Sequence, residues 1–133
     1  MWRGKHSPAR VFIFVATGAP ALTLRGPTGG IYGVAFSPDG RSIAASSDDR
    51  SVTLWDAATG AQLARFRGHT SFVSAVAFSP DGRRLASACN DGLAKVWDVR
   101  TGQEVSLHGP AERLVNVTGV AFSPGGDRLA TSW

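Results

Sequence analysis

The chain has 133 residues, of which 43% are hydrophobic and 18% charged, a balance that suits one globular domain with a buried core and excludes a disordered chain. Its formal charge of +4 is concentrated at the start: Arg3, Lys5 and Arg10 have no acidic neighbour in the first ten residues, which leaves 14 − 3 = 11 basic side chains against 10 acidic ones elsewhere. The single cysteine, Cys89, excludes an intrachain disulfide and a cysteine-based zinc site, and no apolar run reaches the roughly 20 residues of a membrane helix.

Residues 1–10 form a basic segment that is expected to be flexible. The stretch "VFIFVATG" follows, then Ala19-Pro20-Ala21, a combination that fits a signal peptide with its cleavage site. A strand reading competes with it. Residues 17–36 repeat 59–78 without a gap through Thr17, Gly18, Ala19, Arg25, Gly26, Thr28, Val34, Ala35 and Phe36, so cleavage would cut into a repeated unit. The strand reading is preferred, and with it a cytoplasmic rather than secreted setting. The glycine-rich "GPTGGIYG" at 26–33 lacks the Gly-Lys-Ser/Thr ending of a phosphate loop and reads as a connection between units.

From there "VAFSPDG" at 34–40 recurs letter for letter at 76–82, and "VAFSPGG" stands at 120–126. Ser37, Pro38, Asp39, Gly40, Arg41, Ala44, Asp49, Trp55, Asp56, Thr59 and Gly60 each recur 42 positions later. Short apolar segments bounded by turn residues, with no helical spacing, predict strands at 31–36, 42–47, 51–56 and 61–66, then 72–78, 84–89, 93–98 and 103–107, then 114–122 and 127–132. "SPDG" has the chemistry of a tight turn: proline presets φ, aspartate bonds back to the backbone, and glycine takes the positive φ that closes it.

Four short strands in each unit of about 42 residues, a Trp-Asp pair ending the third strand at Trp55-Asp56 and Trp97-Asp98, and Gly68-His69 upstream together resemble the WD-repeat family of β-propellers over about residues 10–133. The resemblance implies an all-β fold of consecutive four-stranded antiparallel blades in an incomplete ring, over residues 11–133. Blades are expected at about 31–66 and 72–107, with an outer half-blade at 11–24 and an inner one at 114–132, so that the chain looks truncated at both ends. It also implies a structural hydrogen-bond network, carried by His69, Ser87, Asp91 and Trp97 in the second unit. Asp49 and Trp55 keep part of it in the first, where Pro27 and Ala45 replace the histidine and serine. In the third unit Pro110 and Thr131 stand at those positions, so only the second blade is expected to be rigidly tied.

No convergent nucleophile, base and orienting group is legible, so no enzymatic activity, cofactor or metal is expected. Asp48-Asp49 and Asn90-Asp91 fall in turns the fold needs rather than forming a catalytic or calcium-binding carboxylate pair. Arg65, Arg67, Arg83 and Arg84 lack interleaved aromatics and read as a solvated face, not a nucleic-acid site. Ser37, Ser79 and Ser123 precede prolines but read as turn residues rather than phosphorylation sites. The resemblance implies a non-catalytic scaffold for other proteins, with Tyr32, Phe72 and Leu114 as candidate partner-binding residues on the loops, or as packing between blades. The alternatives are a regulatory propeller attached to a larger enzyme such as a kinase or protease, and a nucleic-acid module using the basic start. The complementary half-blades also imply head-to-tail self-association through exposed edges, which either closes a ring or runs on as a fibre. Against that, Ile13 and Phe14 stand where Trp and Asp are expected.

Overall fold

The repeated turn sets the frame in the computed structural model, which describes residues 10–14, 16–109 and 116–133. In the first copy Asp39 accepts from the hydroxyl of Ser37 and the amide of Arg41, while Gly40, at φ +72°, donates to the Ser37 carbonyl. Asp81 and Gly82 repeat these bonds with Ser79 and Arg83 in the second copy. Each turn reverses the chain so that the strand before it pairs antiparallel with the strand after it.

Twelve strands result among the described residues. They are β1 (Arg10–Phe14), β2 (Pro20–Arg25), β3 (Ile31–Phe36), β4 (Ser42–Ser47), β5 (Ser51–Asp56), β6 (Gln62–Arg67), β7 (Val73–Phe78), β8 (Arg84–Cys89), β9 (Leu93–Asp98), β10 (Glu104–His108), β11 (Gly119–Phe122) and β12 (Leu129–Ser132). They assemble as a two-stranded sheet β1-β2, four-stranded sheets β3-β4-β5-β6 and β7-β8-β9-β10, and a two-stranded sheet β11-β12. The fold is all-β, with antiparallel blades of an incomplete propeller. Residues 1–9 and 110–115 lie outside the described residues, and with them the basic segment except Arg10, which opens β1, and the start of the last half-blade. Residues 116–118 are irregular, and the strand predicted from 114 begins at Gly119. Val117 is nonetheless fully buried and donates its amide to the Cys89 carbonyl: burial gave that segment the apolar character of a strand without a partner strand to pair it.

Bulges recur with the repeat. The register shifts between Ile31 and Gly33 and again between Val73 and Ala75. It also shifts between Leu54 and Trp55 and between Ile13 and Phe14. Trp55 pairs with Gln62 and Phe14 with Pro20, so Phe14 alone occupies the tryptophan position and Ile13 answers to Leu54. The bulge is common to both sheets, and the displacement by one residue from the 42-residue spacing arises because the connection from Phe14 to Pro20 is one residue shorter than that from Trp55 to Gln62.

Adjacent sheets stack by laying small residues of one blade under branched and aromatic residues of the next. Ala35, Ala44, Val52, Leu54 and Phe66 of the first blade form one cluster with Val73, Val76, Phe78, Leu85 and Trp97 of the second. The Phe66 and Trp97 rings lie 5.6 Å apart across this contact. On the other side of the first blade, Trp55, Ile43 and Ala45 pack on Val11, Ile13, Leu22 and Leu24. Ala75, Ala88 and Ala94 of the second blade pack on Val117 and Val120.

Candidate interaction surface and the buried polar network

A buried indole N–H and a buried imidazole each need a partner, and the second blade supplies both from one chain of bonds. Trp97 donates from Nε1 to Ser87 Oγ at 2.8 Å, Ser87 Oγ lies 2.7 Å from His69 Nε2, and His69 Nδ1 lies 3.0 Å from Asp91 Oδ2. A carboxylate only accepts, so Nδ1 carries the proton, Nε2 accepts the serine hydroxyl, and the serine oxygen accepts from the indole. Asp91 further accepts the amides of Thr70 and Leu93. The network thereby ties the loop before β7 and the β8–β9 turn to the third strand. Burial holds the His69 pKa below its usual 6.5, against the pull of Asp91. Burial raises the Asp91 carboxyl, but the bonds from His69 and the two amides outweigh it and leave the pKa lowered.

The connectivity Ser87, His69, Asp91 is that of a hydrolase triad. Ser87 is fully buried, its oxygen is taken by Trp97, and His69 is only 6% exposed, so the serine has no approach for a substrate. Cys89 sits close by, and Cys89, His69 and Asp91 hold three potential metal-ligand atoms within 4.8 Å of one another. Each atom already serves the fold. The Cys89 sulfur donates to the Ser71 carbonyl and accepts the Asp91 amide, and burial pushes its pKa up to about 11, which opposes the thiolate a metal requires. The same bonds are made in the first blade by Ser47, to Gly30 and from Asp49, so a hydroxyl fills the role as well.

The first blade is tied too, contrary to expectation. Trp55 is fully buried and donates to the Arg25 carbonyl at 2.9 Å, replacing the missing serine with a backbone acceptor. Asp49 accepts from the Thr28 amide and from the amide and hydroxyl of Ser51. In the last pair, the Trp133 indole donates to Thr131 Oγ1 at 2.8 Å. Pro110 lies outside the described residues.

Of the candidate partner-binding residues, Tyr32 is 55% exposed and its ring stands 5.2 Å from that of Phe72, which is half-buried. Tyr32 opens the first strand of one blade and Phe72 directly precedes the first strand of the next. The structure therefore brings these two together at one end of adjacent blades, while Leu114 lies outside the described residues. Arg67 and Arg84 stand at opposite ends of their strands: Arg67 pairs with Ser51, where a third strand begins, and Arg84 with Asp98, where one ends. Arg84 donates to the Gly126 carbonyl and lies over the Phe122 ring. The four arginines do not make one patch. The Ser-Pro serines are turn elements, since Ser37 and Ser79 are buried and each bonded to its aspartate.

Among the described residues no helix is long and apolar enough to cross a membrane. No curated protein matches the chain. The family model described as "WD domain, G-beta repeat" matches residues 18–56 and 60–98. These spans run through the turn, the second and third strands and the Trp-Asp pair of both whole blades, and they cover more than half of the residues. The chain belongs to the WD-repeat family, whose domains act as protein-interaction scaffolds.

Proposed function

We propose that this chain is a non-catalytic scaffold that holds partner proteins at the blade end carrying Tyr32 and Phe72. The observation that supports the reading is the aromatic pair contributed by two successive blades, exposed Tyr32 in β3 and half-buried Phe72 at the end of the loop that the His69–Asp91 network holds in place. An aromatic anchor spends little side-chain entropy on binding and presents a large apolar area, as interface hot spots do. The partner feature it suits is an apolar or aromatic side chain on an extended segment. A second copy of the chain is also a partner in this reading, through the free strand edges of β1 and β12.

Selection from a library of displayed peptides tests the aromatic site. Binders with an aromatic or large apolar anchor are expected, with affinity at least about tenfold lower for Tyr32→Ala at an unchanged melting temperature. An absence of binders, or binders indifferent to both Tyr32→Ala and Phe72→Ala, overturns the reading.

A further inference from the structure

The same residues meet opposite fates in successive repeats. Val76 is 9% exposed while Val34, its counterpart in the identical heptapeptide, is 55% exposed. Phe78 is half-buried and Phe36 is 54% exposed. Val76 and Phe78 are covered by the alanine face of the preceding inner pair, Ala35 on β3 and Ala44 on β4. Val34 and Phe36 point toward the β1–β2 side, because they pair with Ala45 and Ile43, which belong to the cluster facing that sheet. The β1–β2 sheet covers Trp55 and Ile43, and among the described residues no inner pair stands beside it to cover β3.

At the far side lies what is missing. The β11–β12 sheet is an inner pair whose outward face carries Ala121 and Ala130, paired with each other and both exposed. They are the third-repeat counterparts of Ala35 and Ala44. A second match lies further out. Phe12 and Phe14 on β1 are 51% and 59% exposed, on the face turned away from the first blade. Phe14 holds the tryptophan position, and a tryptophan there packs on the outer strands of the preceding blade, as Trp97 does on Phe66. The corresponding surface of the second blade is an open groove of about 450 Å³ lined by Val96, Asp98, Glu104 and Val105, with Val105 61% exposed. Third, among the described residues β1 and β12 each have no neighbour on one side, and β12-β1 is the junction that turns two half-sheets into the order of a whole blade.

We propose that two copies of this chain join head to tail: the β11–β12 pair of one copy docks beside the β1–β2 pair of the other, completing a four-stranded blade. Val34 and Phe36 of one copy then lie on Ala121 and Ala130 of the other, and Phe12 and Phe14 lie in the Val96–Val105 groove. This rests on the reading of a second copy as partner, and it adds the faces and their register. The described residues of each copy hold two whole and two half blades, so two such contacts close a ring of six from them, within the four to eight that propellers use. The contact is heterologous, and closure under a two-fold axis is what stops it running on as a fibre.

Light scattering on the whole chain across concentration, with two charge variants, tests this. The wild type is expected at twice 13.9 kDa. Val34→Asp and Val105→Asp alter side chains that are exposed within one copy, so each variant is expected to keep the wild-type circular dichroism. Each is expected to raise the dissociation constant at least about tenfold, because a charge is buried on docking. Mixed together, they are expected to recover a dimer, since the Val105→Asp head and the Val34→Asp tail still form one intact contact. A dimer unaffected by either variant but lost in Ala130→Pro, which blocks the β12 edge, overturns this docking and leaves edge pairing of two copies standing. A monodisperse wild-type monomer overturns both. Fibres instead of a dimer overturn the closed ring, and no recovery on mixing overturns the head-to-tail docking.

Discussion

His69 concentrates the physical logic of the second blade, because its ring is buried with one nitrogen on a carboxylate and the other on a hydroxyl. Protonation would give Nε2 a hydrogen facing a serine that already donates there, and would put charge where burial disfavours it. The folded pKa lies below 6.5, so the folded state binds fewer protons than the unfolded one. This contribution is fully present above pH 6.5 and is lost as pH falls through the folded pKa, with a slope of at most about 1.4 kcal/mol per pH unit for one proton. Asp91, also lowered from 3.8, extends the loss into stronger acid. Urea titrations are expected to show a midpoint flat above pH 7 that falls as the pH drops below 6.5. In His69→Gln, which keeps a donor and an acceptor, that part of the slope is expected to vanish although the protein is less stable overall. An unchanged slope in the variant refutes the assignment.

The β4–β5 and β8–β9 turns show how far an element can be read from its letters. Gly92 closes the second at φ +85°, but Arg50 closes the first at φ +72°, in the left-handed region where a side chain costs roughly 1–2 kcal/mol. Arg50→Gly is therefore expected to stabilise the protein by about 0.5–1 kcal/mol after the entropy glycine adds to the unfolded chain. A lowered melting temperature would show that the Arg50 side chain makes a contact worth more than the strain. The turn residues, the strand alternation and the Trp-Asp pairs were legible because each is local and chemically specific. The acceptor for Trp55 was not, because the Arg25 carbonyl is backbone and any residue at position 25 supplies it. Nor was the place of Phe14, since the connection after it is one residue shorter than the one after Trp55 and a fixed 42-residue spacing does not register that. The irregular path of 116–118 was hidden because an apolar segment buried by tertiary contact looks like a strand from its letters alone.

At the scale of the molecule, the extensive contacts among the described residues run between neighbouring blades, and stability in such stacks is a sum of blade terms and nearest-neighbour terms. The second blade has sheets on both faces, with Trp97 and Leu85 against the first blade and Ala88 and Ala94 against Val117 and Val120. On its other side the first blade is covered by the β1–β2 sheet at Ile43, Ala45 and Trp55 but not at β3, leaving Val34 and Phe36 in solvent. The two-stranded sheets each keep one face and two edges open. Opening free energies should therefore descend from the second blade outward in both directions. In hydrogen exchange at a concentration low enough for single copies, amides of β8 and β9 are expected to exchange slowest, those of β4 and β5 next, and those of β1, β2, β11 and β12 fastest. Raising the concentration into the dimer range is expected to protect the β1 and β12 edge amides first, while β8 and β9 change least. Uniform protection over all twelve strands would mean that the sheets open as one cooperative unit, and would refute the nearest-neighbour account on which the completed blade depends.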